Sequence, residues 1–182
     1  MKKENIVAYI LRLALTLLAI TAVVAAALAA VNSVTAPAIA ELNAQKTQEA
    51  IELVLPGGGE EIADYPAVDL VSKVYKGENG YAIQTTPGGF DNTITMMVGV
   101  DKAGSVLGIS IIKHTETAGL GAVAAAGTPA GENFRGQFVG ASGSVSVTKD
   151  GGQMDAITGA TITSRAVCAG VNAALDCVAK MG

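Results

Sequence analysis

From Leu13 to Val31 the chain carries no charged side chain, and those 19 positions leave it few ways to fold. As a helix rising about 1.5 Å per residue, the run spans about 28 Å, the thickness of a bilayer core. Half of the 182 residues are hydrophobic, so what remains after this stretch suffices for one further domain. Lys2, Lys3 and Arg12 precede the run, and positive charge on that flank holds its end in the cytoplasm. The expected organisation is a cytoplasmic N-terminus over residues 1–12, a single-pass transmembrane helix over 13–31, and a main domain on the extracytoplasmic side of the cell membrane. A cleaved signal peptide is the alternative, because Ala27-Leu28-Ala29 has the small-x-small pattern of a cleavage site; the length of the apolar run favours the anchor.

Charge divides along the same line. Residues 1–12 balance at +2 within a total of −4, which leaves −6 for the rest, and an acidic domain with 4% aromatic residues does not suit nucleic acid. One histidine and two cysteines encode neither an iron–sulfur centre nor a histidine-based zinc site. Cys168 and Cys177, nine positions apart on an expected helix, lie on opposite sides and about 13 Å apart in rise, too far for a disulfide.

After the membrane segment, Thr35-Ala-Pro37 reads as the start of a connector helix over 35–55, stopped by Pro56 and the glycines at 57, 58 and 59. The domain proper is expected over 60–182. Its first half alternates in short runs, with strands at 73–75, 81–86, 93–100 and 105–113 separated by turn-forming residues at 77–80, 87–92 and 101–104. Short helices are expected at 122–126 and 132–138, a last strand at 145–147, and a final helix. Its apolar positions Val167, Val171, Ala174, Leu175 and Val178 fall at i, i+4, i+7, i+8 and i+11. The fold class is α+β, an antiparallel sheet with flanking helices. The glycines at 57–59 and 88–89 lack the lysine and the strand-then-helix frame of a phosphate loop and read as turns.

The chemistry concentrates just before the final helix, in Asp155-Ala-Ile-Thr158-Gly159-Ala160-Thr161. Thr163 and Ser164 can each cap a helix N-terminus. Free amides there, with the positive end of the helix dipole, make an anion site. Gly159 and Ala160 leave room for a ligand to approach the main chain, with the Thr161 hydroxyl at the centre. A threonine-rich turn leading into an ordinary helix is the plain alternative, yet the pattern Asp-x-x-[Ser/Thr]-Gly-Ala-[Ser/Thr] arises by chance on the order of once in a thousand chains of this size.

That string resembles the flavinylation motif of the family of proteins that carry FMN through a phosphoester to a threonine or serine. The resemblance implies that Thr161 is the covalent attachment point and that a separate flavin transferase takes the FMN group from FAD. It makes Asp155, Thr158, Gly159 and Ala160 recognition and packing positions, with Ile162 and Thr163 beside them in the cofactor site. A second stretch, His114-Thr-Glu116-Thr117-Ala118-Gly119-Leu120-Gly121, is similar to the family's flavin-contacting segment Glu-Thr-Pro-Gly-Leu-Gly, with Ala118 in place of the proline that would fix a backbone angle. The resemblance implies that Glu116 and Thr117 aim a carboxylate and a hydroxyl at the flavin, that Leu120 packs on the ring, and that Gly119 and Gly121 shape the turn. His114 reads as a hydrogen-bonded structural residue, with proton donation to a flavin as the alternative.

Within the family, nearly the whole chain is similar to the G-subunit branch of Rnf-type ion-translocating ferredoxin:NAD oxidoreductases, whose relative is the C subunit of sodium-pumping NADH:quinone oxidoreductases. This implies an electron-carrier subunit that relays electrons through covalent FMN, is coupled to ion translocation, works with other subunits of a membrane complex and is no enzyme by itself. The alternative class is a noncatalytic membrane-anchored surface or scaffold module without flavin, which leaves both motifs unexplained. A standalone flavin reductase would require a nicotinamide site, and the chain has no dinucleotide fingerprint.

Overall fold

The computed structural model describes residues 6–181, so Lys2 and Lys3 lie outside the described residues. The first helix, α1 (Ile6–Val54), runs for 49 residues and includes Pro37. A separate connector beginning at Thr35 is therefore not formed. Pro37 removes one hydrogen bond, but the alanine, leucine, glutamate and glutamine residues that follow it are strong helix formers. Thr35 does not cap, because its hydroxyl donates to the Val31 carbonyl one turn back, at 3.0 Å.

Two compact units divide the chain, Met1–Ala44 and Gln45–Gly182. In the first, α1 is long and apolar enough to cross a membrane, with an 18-residue window of mean hydropathy 2.5 and none of it buried. Leu15, Leu17, Leu18, Ile20 and Val23 stand exposed along it, surface that water disfavours and lipid accepts.

The second unit is built on a five-stranded antiparallel sheet: β1 (Glu60–Ile62), β2 (Val71–Lys76), β3 (Gly80–Thr85), β4 (Thr95–Asp101) and β5 (Val106–Lys113), paired in chain order. Ile83 faces Val98, and Val98 faces Ile109. Along β4 the period-two alternation sends Met96, Val98 and Val100 to one face and Met97 to the other, and all four are buried because both faces are covered. The last turns of α1 cover one face, where Ala50, Ile51, Val54 and Leu55 pack with Tyr75, Ala82 and Met97. Gly99 permits this approach, since a β-carbon there would fall on the Val54 carbonyl.

On the other face lie α2 (Pro129–Gly136) and α3 (Thr161–Met181). Val74, Ile83, Val98, Phe138, Val171 and Ala174 belong to this larger core, and Phe134 meets Phe138 edge to face at 5.6 Å. Burial on α3 exceeds the single expected stripe, because Ala166, Cys168, Ala173 and Cys177 are covered as well. Both cysteines are free, and burial pushes the Cys168 thiol up to about 11.

Four elements differ from the pattern in the sequence. Strand β1 is short and acidic, held at the edge by pairing with β2 and by Lys73 to Glu61 at 3.0 Å. Residues 145–147 form no strand; Val145 is instead bound through its backbone N–H and C=O to the Asn172 side chain, at 2.8 and 2.9 Å. A 3-10 turn, Thr148–Asp150, follows. The helix expected at 122–126 is a 3-10 turn, Gly121–Ala125, while α2 starts earlier than expected, behind Thr128 and with Pro129 first.

Candidate functional site

Helix α3 begins at Thr161 itself, so Thr163 and Ser164 fall inside its first turn and act there as stitches rather than caps. Ser164 Oγ accepts from the Ile157 N–H and donates to the Ala160 carbonyl, both at 3.0 Å. The Ala160 N–H returns to the Ile157 carbonyl at 2.9 Å. This tight turn places Gly159 at φ +76°, a conformation that favours glycine, and a β-carbon there would sit 2.9 Å from Leu120 Cδ2. A side chain at Gly159 would press on Leu120, while Gly159 itself stays exposed at the cleft that the two residues line.

Thr163 Oγ1 donates to Glu116 Oε2 at 2.6 Å, and the Phe90 N–H donates to Glu116 Oε1 at 2.8 Å. Gly89 and Gly121 close on the same carboxylate, and a β-carbon at either would fall on it. Glu116 is 8% exposed. It ties together the 87–92 turn, the 114–121 loop and the start of α3, so its main work is to build the cleft, through two hydrogen bonds to a charged group.

The cleft measures about 290 Å³. Phe90, Leu120 and Ile162 line it and remain 66, 43 and 49% exposed, an exposed apolar rim. Thr117, Gly121 and Ala160 also line it. Thr161 Oγ1 accepts a hydrogen bond from Lys149 Nζ at 3.2 Å. Next to Lys149, Asp150 is gripped by Arg165, with Nε to Oδ2 at 2.7 Å and Nη2 to Oδ1 at 2.6 Å. That pairing holds the Asp150 carboxyl below its ordinary range and the guanidinium above its own. The first amides of α3 have no partner within the helix, and the dipole adds positive potential where they point. The arrangement can seat a flat apolar body against the rim and an anionic group at Thr161, with a hydroxyl placed to be esterified.

Of the residues singled out in the sequence, Glu116, Thr117, Leu120, Gly121, Gly159, Ala160, Thr161, Ile162 and Thr163 come together here. Gly119, Asp155 and Thr158 do not; they line a neighbouring cavity of about 590 Å³ beside Phe134 and Gln137. The Gln137 side chain binds the Asp155 backbone there, accepting from its N–H at 2.7 Å and donating to its C=O at 3.3 Å. His114 is not the hydrogen-bonded residue expected, since its Nδ1 is buried with no partner and it lines a third cavity with Ser110. The sequence reading missed Phe90 and Lys149. An aromatic in an otherwise polar glycine turn was the available signal for Phe90; Lys149 carried none, because its nearness to Thr161 exists only in the fold.

Comparison with known proteins bears on this site. The chain matches the model of the FMN-binding domain over residues 89–176, a span that contains the whole cleft. It is similar to the G subunit of the ion-translocating oxidoreductase complex of Methanosarcina acetivorans, 34% identical over 186 aligned positions that cover 93% of this chain and 94% of the relative. The G subunit of the Na(+)-translocating ferredoxin:NAD(+) oxidoreductase complex of Acetobacterium woodii is 35% identical, covering 92% of this chain and 90% of the relative. The corresponding G subunit of Pseudomonas aeruginosa is 35% identical over 62% of this chain and 54% of its own length.

Proposed function

The chain belongs to the G-subunit family of ion-translocating oxidoreductase complexes, and from that premise we propose that it is the membrane-anchored electron carrier of such a complex, working through FMN joined by a phosphoester to Thr161 Oγ1. FMN, when bound, supplies the redox chemistry, taking up and giving back electrons one or two at a time. The residues present fit that group. Phe90, Leu120 and Ile162 give a three-ring system an apolar surface, Thr117 gives a polar chain a hydroxyl, and the amides at the start of α3 meet a phosphate. Glu116 fixes the three segments that carry these groups.

The observation that carries the reading is the position of one oxygen: Thr161 Oγ1 lies at the cleft, on the first residue of α3, beside the apolar rim. A flavin transferase drawing on FAD is the proposed source of the FMN group. Asp155 and Thr158 face a cavity outside the cleft, where a second protein can read the motif while Thr161 receives the group. Residues 1–12 are proposed as cytoplasmic, 13–31 as the bilayer span, and 60–182 as an extracytoplasmic domain among the other subunits, with electron transfer coupled to ion movement by the whole complex. A covalent tether suits that side of the membrane, because it replaces rebinding of scarce cofactor by an intramolecular contact at high effective concentration.

Co-expression with a flavin transferase tests this directly. A flavin-fluorescent band that survives boiling in a denaturing gel is expected, with the mass increment of FMN on the peptide containing Thr161. Thr161→Val keeps the shape and β-branching while deleting the oxygen, and is expected to leave the fold intact and remove all covalent flavin. Flavin on that peptide in the variant, or none in the parent, overturns the assignment.

A further inference from the structure

Lys149 has no part in the reading above, yet its ammonium donates to the attachment oxygen, Thr161 Oγ1, at 3.2 Å. Resting on that reading, we propose that Lys149 is the phosphate-binding residue of the site, and that the Asp150–Arg165 pair is the positioning device that keeps it there.

A phosphodiester on Thr161 carries one negative charge into a cleft that already holds the Glu116 carboxylate. Among the described residues lining the cleft, Lys149 is the only cation. Its present partner is the oxygen to which the phosphorus would be bonded, so the phosphate's free oxygens lie two bonds further, within the swing of a flexible four-carbon stem with three rotatable donors.

The backbone under that stem is held on two sides. The 3-10 turn Thr148–Asp150 is anchored behind Lys149 by Thr148 N–H to the Met154 carbonyl at 2.9 Å. It is anchored ahead by the two-pronged contact of Asp150 with Arg165, one helical turn beyond Thr161. A bidentate pair fixes distance and orientation together, so the backbone of Lys149 is set against the first turn of α3 from both sides. The pair has another effect: both oxygens of Asp150, the carboxylate adjacent in sequence, accept from Arg165, and the hydrogen bond of the ammonium goes to Thr161.

Two assays decide it. In the first, flavin-free full-length protein in detergent is incubated with flavin transferase and FAD, and the initial rate of incorporation is read from in-gel fluorescence. The Thr161 oxygen forms a bond to the flavin-side phosphorus, the bond from that phosphorus to the bridging oxygen breaks, AMP departs, and the hydroxyl proton passes to a base of the transferase. Lys149→Met is expected to slow this about tenfold, Lys149→Arg to restore it to within about threefold by returning the charge, and Asp150→Asn to give an intermediate rate.

The second assay needs no covalent bond. In the Thr161→Val background, binding of free FMN and of riboflavin is measured by quenching of flavin fluorescence. Adding Lys149→Met is expected to weaken FMN about tenfold and leave riboflavin within about twofold. Equal losses for both ligands, absence of any preference for FMN before the lysine is removed, or a parent-like transfer rate in Lys149→Met overturns the proposal. A parent protein that never takes flavin covalently would sink the attachment reading instead, and the free-ligand assay would still decide on Lys149.

Discussion

Glu116 is nearly inaccessible, yet each of its oxygens accepts a hydrogen bond from a different segment of the chain, Phe90 N–H on one and Thr163 hydroxyl on the other. Truncation leaves both donors unpaired and opens a void between Gly89 and Gly121, each of which lies against the carboxylate. An unpaired buried donor costs roughly 1–3 kcal/mol, so Glu116→Ala is expected to lose about that much in urea-dependent pulse proteolysis and to lose flavin incorporation with it. A variant of unchanged stability that no longer binds flavin would mean that Glu116 contacts the cofactor and does not hold the cleft together. Asp150 gives a residue-scale pH prediction. Its carboxyl is held below 3.8 by the Arg165 hydrogen bond, so the ion pair is complete above that value and is lost as pH falls through the lower one. A carbon-13 titration of Asp150 is expected to show a midpoint below that of a free aspartate, and one at or above it removes the tie. At this scale the legible part was the end of the local string, Gly159 to Thr161, where spacing along the chain is the signal; Asp155 and Thr158 of the same string line the neighbouring cavity instead. Phe90 and Lys149 reach the site from 71 and 12 residues before Thr161, and no local pattern encodes such a meeting.

The elements were legible where one period dominates. Strands β2 to β5 declare themselves by alternation and by turns such as 101–104, where Asp101 Oδ1 accepts from Ala103 and Ser105 N–H at 2.9 and 2.8 Å. Strand β1 was not legible because three residues with two glutamates carry no strand pattern, and pairing with β2 alone makes them one. Segment 145–147 misled in the opposite sense: Val145-Ser-Val147 alternates, but the Asn172 side chain takes the backbone groups of Val145 that a ladder would need. Gly99 illustrates how an element depends on one absent atom. Placed mid-strand, glycine costs strand propensity, and the return is that the end of α1 rests on β4. Gly99→Val is expected to displace that turn and to destabilise the domain by about 1–3 kcal/mol, measured as a shift in the urea midpoint of pulse proteolysis. Stability equal to the parent would mean that α1 does not bear on the strand.

For the whole molecule, the boundary between the two compact units falls inside a helix, which composition could not reveal. A largely apolar run ends at Val31, before Asn32 and Ser33, and a turn begins at Pro56, so the stretch between reads as a connector; the fold instead assigns it in two parts. The unit Gln45–Gly182 includes the last ten residues of α1, and three of them, Ala50, Ile51 and Val54, are buried with Leu55 in the smaller core. Two truncations therefore differ in kind. Removing residues 1–44 takes away the exposed apolar window and keeps that core, and the product is expected to be soluble without detergent, to melt cooperatively, and to accept flavin from a transferase at a rate close to the full chain. Removing residues 1–55 strips four side chains from the face of β2, β3 and β4 and exposes Met97 and Ala82. At a loss of roughly 1.5–3 kcal/mol for each large aliphatic group, most of the stability of a domain this size is gone, and aggregation is expected. Equal solubility and equal melting temperature for the two truncated proteins would show that the end of α1 belongs to the anchor alone, and a 45–182 protein that folds yet takes no flavin would show that the membrane segment is needed to present Thr161 to the transferase.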